Sequence, residues 1–402
     1  MSYPNKKLGD LFQISSGGTP SRKNIEYYEN GTIPWVKTGD LHNKWLVAAS
    51  ENISEAGLSN SSAKLYSEGT VLLAMYGATI GACSILNIDA ATNQACAAFT
   101  PTEEVEPEYL YYVFKANKQN FVRAGAGGAQ PNISGKFLKS FEIPLPPLFI
   151  QKQIAAVLEK ADKLRQQSQQ MEQELNSLAQ SVFLDMFGDP KSNPKRWQKK
   201  PLKNILEKLV GGKSLAAPEQ HTDVSEYRVL KISAVTSGQY NPLESKALPA
   251  DYIPPKEHFV QVNDLLISRA NTTELVGATT MVFDTPENLL LPDKLWKFQW
   301  KESEPLSQIF MWKLLSSKAM RHRLSEISSG SGGSMKNISK SKLLELEVIF
   351  PDYEKQMEYE NFYLRLRDQM LLNKEYISQA EGQFKSLMQR AFKGELDLKD
   401  VA

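Results

Sequence analysis

Asn132-Ile133-Ser134-Gly135-Lys136-Phe137-Leu138-Lys139-Ser140-Phe141-Glu142-Ile143-Pro144-Leu145-Pro146 has a second edition in the same chain, Asn337-Ile338-Ser339 through Leu343 and Glu347 to Pro351. Asn, Ile, Ser, Leu, Glu and Pro return at a constant offset of 205 residues, which continues through Gln151/Gln356, Ser181/Ser386 and Phe187/Phe392. Upstream, Leu8/Leu202, Gly17-Gly18/Gly211-Gly212, Lys37/Lys231 and Leu72/Leu266 match at an offset of 194. The change between the two offsets marks residues inserted between the blocks, as loops permit. A period of roughly 200 is too long for a solenoid and indicates duplication of whole domains.

After Pro146-Pro147 the periodicity changes. Ile154, Val157, Ala161, Leu164, Ser168, Met171, Leu175, Leu178 and Val182 alternate steps of three and four, with Gln, Glu, Lys and Arg filling the outer faces. That is a heptad seam. The prolines forbid an earlier start, and Gly188 followed by Pro190 is a helix stop, so the spacing predicts a helix over 150–188, about 55 Å long. A less regular copy at 353–394 keeps Phe362, Leu366, Tyr376, Ala380 and Leu387, with Asp352 as N-cap and Gly394 as stop. Ser168 interrupts the first seam and Asn373 the second, again 205 apart. Polar residues at seam positions reduce stability but fix helix-pair register. Within one chain the helices can pack as an antiparallel coiled-coil pair, and a homodimeric coiled coil is the alternative.

Before each helix lies a segment of short apolar runs broken by Gly, Pro, Asn and Ser. Residues 32–37, 69–76 and 141–145 read as strands, while Pro107–Gln119 and Pro305–Arg323 read as amphipathic helices. The expected class is α/β (α+β): two similar globular domains alternating with two long helices in a pseudo-twofold repeat. The expected layout is domain 1–149, helix 150–188, basic linker 189–200, domain 201–352, helix 353–394 and tail 395–402.

The 402 residues are 41% hydrophobic and 23% charged, ordinary for a water-soluble globular protein. No apolar run reaches the roughly 18 residues a membrane span needs, and the start Met1-Ser2-Tyr3-Pro4-Asn5-Lys6-Lys7 lacks a signal-peptide core. Cys83 and Cys96 are expected to be reduced and buried in a cytoplasmic protein. The net charge of +1 hides an uneven distribution, because residues 191–352 hold 23 Lys and Arg against 18 Asp and Glu. The linker cluster Lys191, Lys195, Arg196, Lys199, Lys200 and Lys203 reads either as a solvated surface or as a phosphate-contacting one.

Ser16-Gly17-Gly18-Thr19-Pro20, Ile33-Pro34-Trp35-Val36-Lys37-Thr38-Gly39-Asp40, Tyr76-Gly77-Ala78-Thr79-Ile80-Gly81 and Asn93-Gln94-Ala95-Cys96 resemble blocks of the specificity (S) subunits of type I restriction–modification systems. Gln130-Pro131-Asn132-Ile133-Ser134 and Ile143-Pro144-Leu145-Pro146-Pro147, with the long helix behind them, extend the resemblance over the whole chain. The second half departs from it: Ser268-Arg269-Ala270-Asn271 stands for the Tyr-Gly-Ala-Thr block, and Leu291-Pro292-Asp293-Lys294-Leu295 for the Asn-Gln block. The resemblance implies a non-catalytic subunit whose two target-recognition domains read the halves of an asymmetric, bipartite double-stranded DNA site. The helices would set the spacer and dock two methyltransferase (M) subunits, to which restriction/translocase (R) subunits add. S-adenosylmethionine would belong to the M subunits, with no cofactor in this chain.

The residues themselves supply no catalytic set. Gly212-Lys213-Ser214 fails as a phosphate loop because Glu207 stands where a glycine is needed, so it reads as a turn matching Gly17-Gly18. His42, His221, His258 and His322 have no metal-ligand spacing. A self-contained methyltransferase or nuclease, or a coiled-coil scaffold without DNA, are the competing readings. Base readout calls for Arg, Lys, Asn or Gln on loops held by a sheet. The candidates are Arg22, Lys23, Lys37, Arg123 and Gln130 in the first domain, and Lys231, Arg269, Asn271, Lys294 and Lys336 in the second. Asn132 and Asn337 read as caps of the following turn.

Overall fold

The computed structural model describes residues 3–126, 131–215, 224–249, 251–330 and 335–398. They form two compact units, Met1–Met171 with Asn373–Ala402, and Glu172–Leu372. The long helices run Leu148–Phe187 and Tyr353–Lys393. Leu148 follows the proline pair directly, and both ends stop at a glycine in the left-handed region, Gly188 at φ +74° and Gly394 at φ +75°. Each unit therefore joins one globular segment to the opening half of its own long helix and the closing half of the other.

In unit 1 the opening half buries Gln151, Ile154, Ala155, Leu158 and Asp162, and the closing half of the second helix adds Phe384 and Ala391. Asn373 Nδ2 donates to Ser168 O at 2.9 Å, Gln169 Nε2 to Glu381 at 3.2 Å, and Arg165 lies 5.7 Å from the Phe384 ring, so the two segments run antiparallel. In unit 2 the same parts are played by Gln356, Tyr359, Tyr363 and Leu366, with Ala179, Phe183 and Phe187 from the first helix. The repeat-related pair Phe187/Phe392 shows the equivalence: Phe187 packs on Phe310 at 4.7 Å, and Phe392 on Tyr109 at 5.7 Å. The buried face thus follows the ordinary 3.6-residue period toward the globular segment. The seam residues Leu164, Met171 and Leu178 stay 55%, 47% and 44% exposed.

Two buried glutamines fasten the segments to the helices. Gln151 Nε2 donates to Glu104 O and Pro146 O, both at 2.9 Å, and its Oε1 accepts from Glu106 N at 2.9 Å. Gln356 Nε2 donates to Pro351 O at 2.7 Å and its Oε1 accepts from Ser307 N at 3.0 Å. Glu106 and Ser307 each open a helix, Pro107–Ala116 and Gln308–Ser316. The helices predicted over 107–119 and 305–323 each break in two, continuing as Lys118–Gly125 and Lys318–Glu326. At the second break the Ser317 side chain accepts from Met320 N and starts a new cap.

The main sheets repeat as well. In unit 1 Ser15–Ser16, Cys96–Phe99, Val71–Ala74 and Cys83–Leu86 are hydrogen-bonded in that order, with Trp45–Leu46 added in parallel to the last. In unit 2 the order is Leu206–Gly211, Leu295–Trp300, Leu265–Ser268 and Thr279–Met281. A second sheet in each unit contains one parallel pair, Trp35 opposite Ala91 and Arg228 opposite Leu289. The strand that enters each segment pairs with the one that leaves it, Asn5–Lys7 with Glu142–Pro144 and Lys199–Pro201 with Glu347–Ile349.

Candidate nucleic-acid interface

At one end of each main sheet four loops converge, and the glycine pair explains how. A Cβ on Gly17 would stand 1.9 Å from Thr92 O, and one on Gly212 1.7 Å from Leu291 O. Only glycine permits that approach. Gly18 N then donates to Thr92 O and Gly212 N to Pro292 O, both at 3.0 Å. Side chains one and two residues further on clasp across the gap, Thr19 Oγ1 to Gln94 Oε1 at 2.5 Å in unit 1 and Ser214 Oγ to Asp293 in unit 2. The third and fourth loops meet as Tyr76 bridged to Asn132, and as Ala270 paired with Asn337. These are equivalent positions by the offsets of 194 and 205. Gly212-Lys213-Ser214 leaves the strand Leu206–Gly211 as irregular backbone rather than the expected turn, held by Pro292 O and Asp293.

In unit 2 this loop cluster gathers four of the five candidate readers. Arg269 Nε donates to Asp293 O at 2.8 Å, its Nη1 to Asn337 Oδ1 at 2.9 Å, and its guanidinium lies 5.4 Å from the Trp296 ring. Asn271 pairs in register with Lys336, and Arg269 N donates to Lys294 O at 3.0 Å. Asn271 Oδ1 accepts from Thr272 N, and Lys336 Nζ reaches Gly330 O at 3.1 Å. The Lys294 ammonium has no hydrogen-bond or ion-pair partner among the described residues. Lys231 lies apart from the group, 3.9 Å from Glu244.

Unit 1 arranges its cations differently. Glu51 receives both Arg22, through Nη2 at 2.6 Å, and Lys37, through Nζ at 2.8 Å. These two hydrogen bonds hold its carboxyl below the usual range. Arg22 also lies over Tyr28 and Trp35, 4.3 and 5.2 Å from their ring centres, while Trp35 Nε1 donates to Gly18 O at 3.0 Å. Lys23 is exposed, and Arg123 is exposed in the last turn of Lys118–Gly125. Gln130 falls outside the described residues. Such half-exposed ion pairs are worth at most about 1 kcal/mol, so a phosphate can displace the carboxylate.

Several contributors escaped sequence reasoning. Glu51, which organises Arg22 and Lys37, sits on no repeated motif, whereas Asp293, Ser214 and Trp296 were reachable by laying one repeat over the other. Asn132 and Asn337 are not the caps: Ser134 and Ser339 accept from Phe137 N and Lys342 N, because a serine oxygen directly before the helix reaches its third amide. Asn337 orients Arg269 instead. The basic linker is partly spent on its own unit, with Lys200 paired to Glu304 at 2.6 Å and Lys203 to Glu345 at 2.9 Å. Cys83 and Cys96 are free and buried, and burial pushes both thiols up to about 12. Among the described residues no group of three His, Cys, Asp or Glu could hold a metal ion, and no helix is long and apolar enough to cross a membrane.

Fold and loop clusters together define a duplicated reader, two loop-bearing sheets on one repeated helical frame. The chain belongs to the type I restriction modification DNA specificity domain family, whose model matches residues 2–177 and again 194–380. It is 30% identical over 253 residues to the MjaIX specificity subunit of Methanocaldococcus jannaschii, covering 58% of each chain. To the EcoR124I/EcoR124II specificity subunit of Escherichia coli it is 30% identical over 164 residues, 40% of this chain and 41% of that one. These matches span about half the length of the two relatives. The crystal structure of a type I S subunit from M. genitalium superimposes with a TM-score of 0.61 at 14% identity, over 98% of this chain and 96% of that one. A structure solved to explain complex assembly and conformational transition of the type I R-M system gives 0.59 at 15% identity, over 98% of both chains. At such identities these two establish a shared fold.

Proposed function

We propose that the chain is the non-catalytic DNA-specificity subunit of a type I restriction–modification complex acting in the cytoplasm. Each unit reads one half of an asymmetric bipartite site through its loop cluster. The observation that carries this reading is the contrast within the repeat. Glycine pair, glutamine fastener and strand order are kept, whereas the loop-end side chains change: Tyr76 against Ala270, Gln94 against Asp293, Glu51 with two cations against a gathered Arg269, Asn271, Lys294 and Lys336. Arg, Asn and Lys are the side chains that make bidentate or charged contacts with base edges and phosphates. Arg22, Lys23, Lys37, Arg123, Gln130 and Lys231 complete the proposed contact set.

The long helices set the spacer and dock two methyltransferase subunits, which bind S-adenosylmethionine and flip the target adenine to methylate it. Restriction/translocase subunits join that assembly. The half-exposed Leu164, Met171 and Leu178 support a helix surface that another protein covers. The contact of Asn373 with Ser168 supports a register lock. Methylome sequencing of a host with and without this chain tests the reading. Loss of one asymmetric bipartite motif is expected, and an unchanged methylome refutes it. Removing one heptad from both helices should shorten the preferred spacer in a methylation assay, and unchanged spacing refutes the ruler.

A further inference from the structure

The repeats also differ where the long helices cover the globular segments. In unit 1 the site is filled and charge-balanced. Glu159 accepts from Tyr112 OH at 2.7 Å and pairs with Lys44, and Asp162 pairs with Lys115 and Arg165, both at 2.8 Å. The Phe384 ring closes it, 6.2 Å from the Tyr112 ring, 5.4 Å from Lys115 Nζ and 5.7 Å from the Arg165 guanidinium.

Unit 2 loses all three parts. At the offset of 205, Glu159 and Asp162 become Leu364 and Arg367, and Ala179 stands where Phe384 does. Counting from the paired glutamine fasteners, Lys313 takes the place of Tyr112. The result is a cavity of about 580 Å³ lined by Ala179, Phe183, Leu184, Lys313, Lys318 and Tyr359. Lys313 Nζ lies 4.1 and 4.2 Å from the Trp312 and Tyr363 ring centres and pairs with no carboxylate among the described residues. Burial pushes its ammonium down to about 8. Among the described residues the one carboxylate on the rim, Asp189, is engaged in its own turn by Lys191 N and Ser192 N. Leu184 carries the apolar lining out to the surface at 40% exposure, and the segment around the cavity has the chain's surplus of cations.

We propose that this cavity docks a protein partner that inserts an apolar side chain beside an aspartate or glutamate. The partner would supply to unit 2 the ring and the carboxylate that unit 1 provides for itself. Because unit 1 is already filled, the contact is made once per chain. The inference rests on the reading of the chain as a subunit of a methyltransferase complex.

The test is made on the complex of the full chain with methyltransferase subunits from the same host. A carbodiimide should join Lys313 to a partner carboxylate, with the Lys115–Asp162 link as internal control. Ala179→Phe should fill the cavity, leave or raise the melting temperature and weaken assembly about tenfold or more. Lys313→Met should weaken it similarly, and Lys313→Arg should retain it. If Ala179→Phe does not fold, Lys313→Met decides. Wild-type affinity in Lys313→Met, or in a folded Ala179→Phe, overturns the docking site alone. Failure of the unaltered chain to assemble overturns the underlying reading as well.

Discussion

Replacing Gln356 by leucine removes one amide at nearly constant volume and leaves two backbone groups without partners. Gln356 is fully buried and Ser307, whose N–H it receives, is 1% exposed. The other orphan is Pro351 O, which loses a 2.7 Å bond. An unsatisfied buried donor or acceptor costs about 1–3 kcal/mol, so the substitution should destabilise unit 2 by roughly 2–5 kcal/mol. Added apolar burial returns little, since the side chain's methylenes are already packed. Urea unfolding followed by hydrogen exchange measures the effect, with protection lost first in Gln308–Ser316, whose opening turn Gln356 holds. Unit 1 should keep its protection, because Gln151 fastens Pro107–Ala116 separately. A loss below about 1 kcal/mol, or equal loss of protection in both helices, would refute the fastener argument.

Gly212→Ala should destabilise by about 3 kcal/mol or more in a thermal melt, since Leu291 O occupies the Cβ position, while Gly39→Ala, with open space around it, should be nearly neutral. Glu51→Gln should free Arg22 and Lys37 and raise the affinity for first-half DNA at low salt, an effect that salt must erase in a titration. Because those cations hold the Glu51 carboxyl below its unfolded value, the pair's stabilisation is present above the usual carboxylate range. It is lost as pH falls through the lowered folded value, so acid melts of wild type and Glu51→Gln should converge. Arg269→Ala should weaken binding to the second half-site about tenfold or more and spare the first, read by gel shift on separate half-sites.

How much of this was legible depended on whether the signal was local. The proline pair, Gly188 and Gly394 are covalent facts of backbone freedom, so the helix ends could be read to within a few residues. The Gly17-Gly18 and Gly211-Gly212 pairs read only as a turn, since their close approach to Thr92 and Leu291 depends on neighbours some 75 to 80 residues along the chain. The heptad seam misled in detail because Ile154, Leu158 and Phe183 satisfy a 3.6-residue period equally well. Only the position of the globular segment decides between the two. Arg269 was chosen for its chemistry, but its partners Asp293 and Asn337 lie 24 and 68 residues away, and nothing in the local sequence announces them. Glu51 was invisible for the same reason: an isolated acid acquires meaning only when folding carries Arg22 and Lys37 to it.

The division of the long helices has a consequence for synthesis on the ribosome. Unit 1 is built from the first residues of the chain and the last, with Phe384, Ala391 and Phe392 among its core side chains. Its sheets can form early, yet the core stays open until Phe384, Ala391 and Phe392 have emerged, after all of unit 2. Unit 2, drawn from one continuous stretch, can close before its neighbour does. A nascent chain therefore carries an exposed patch around Tyr109 and Tyr112 until Phe384 and Phe392 arrive, a place for a chaperone to wait. Truncation before Asn373 should then unfold the amino-terminal half of the protein while sparing the half that was cut.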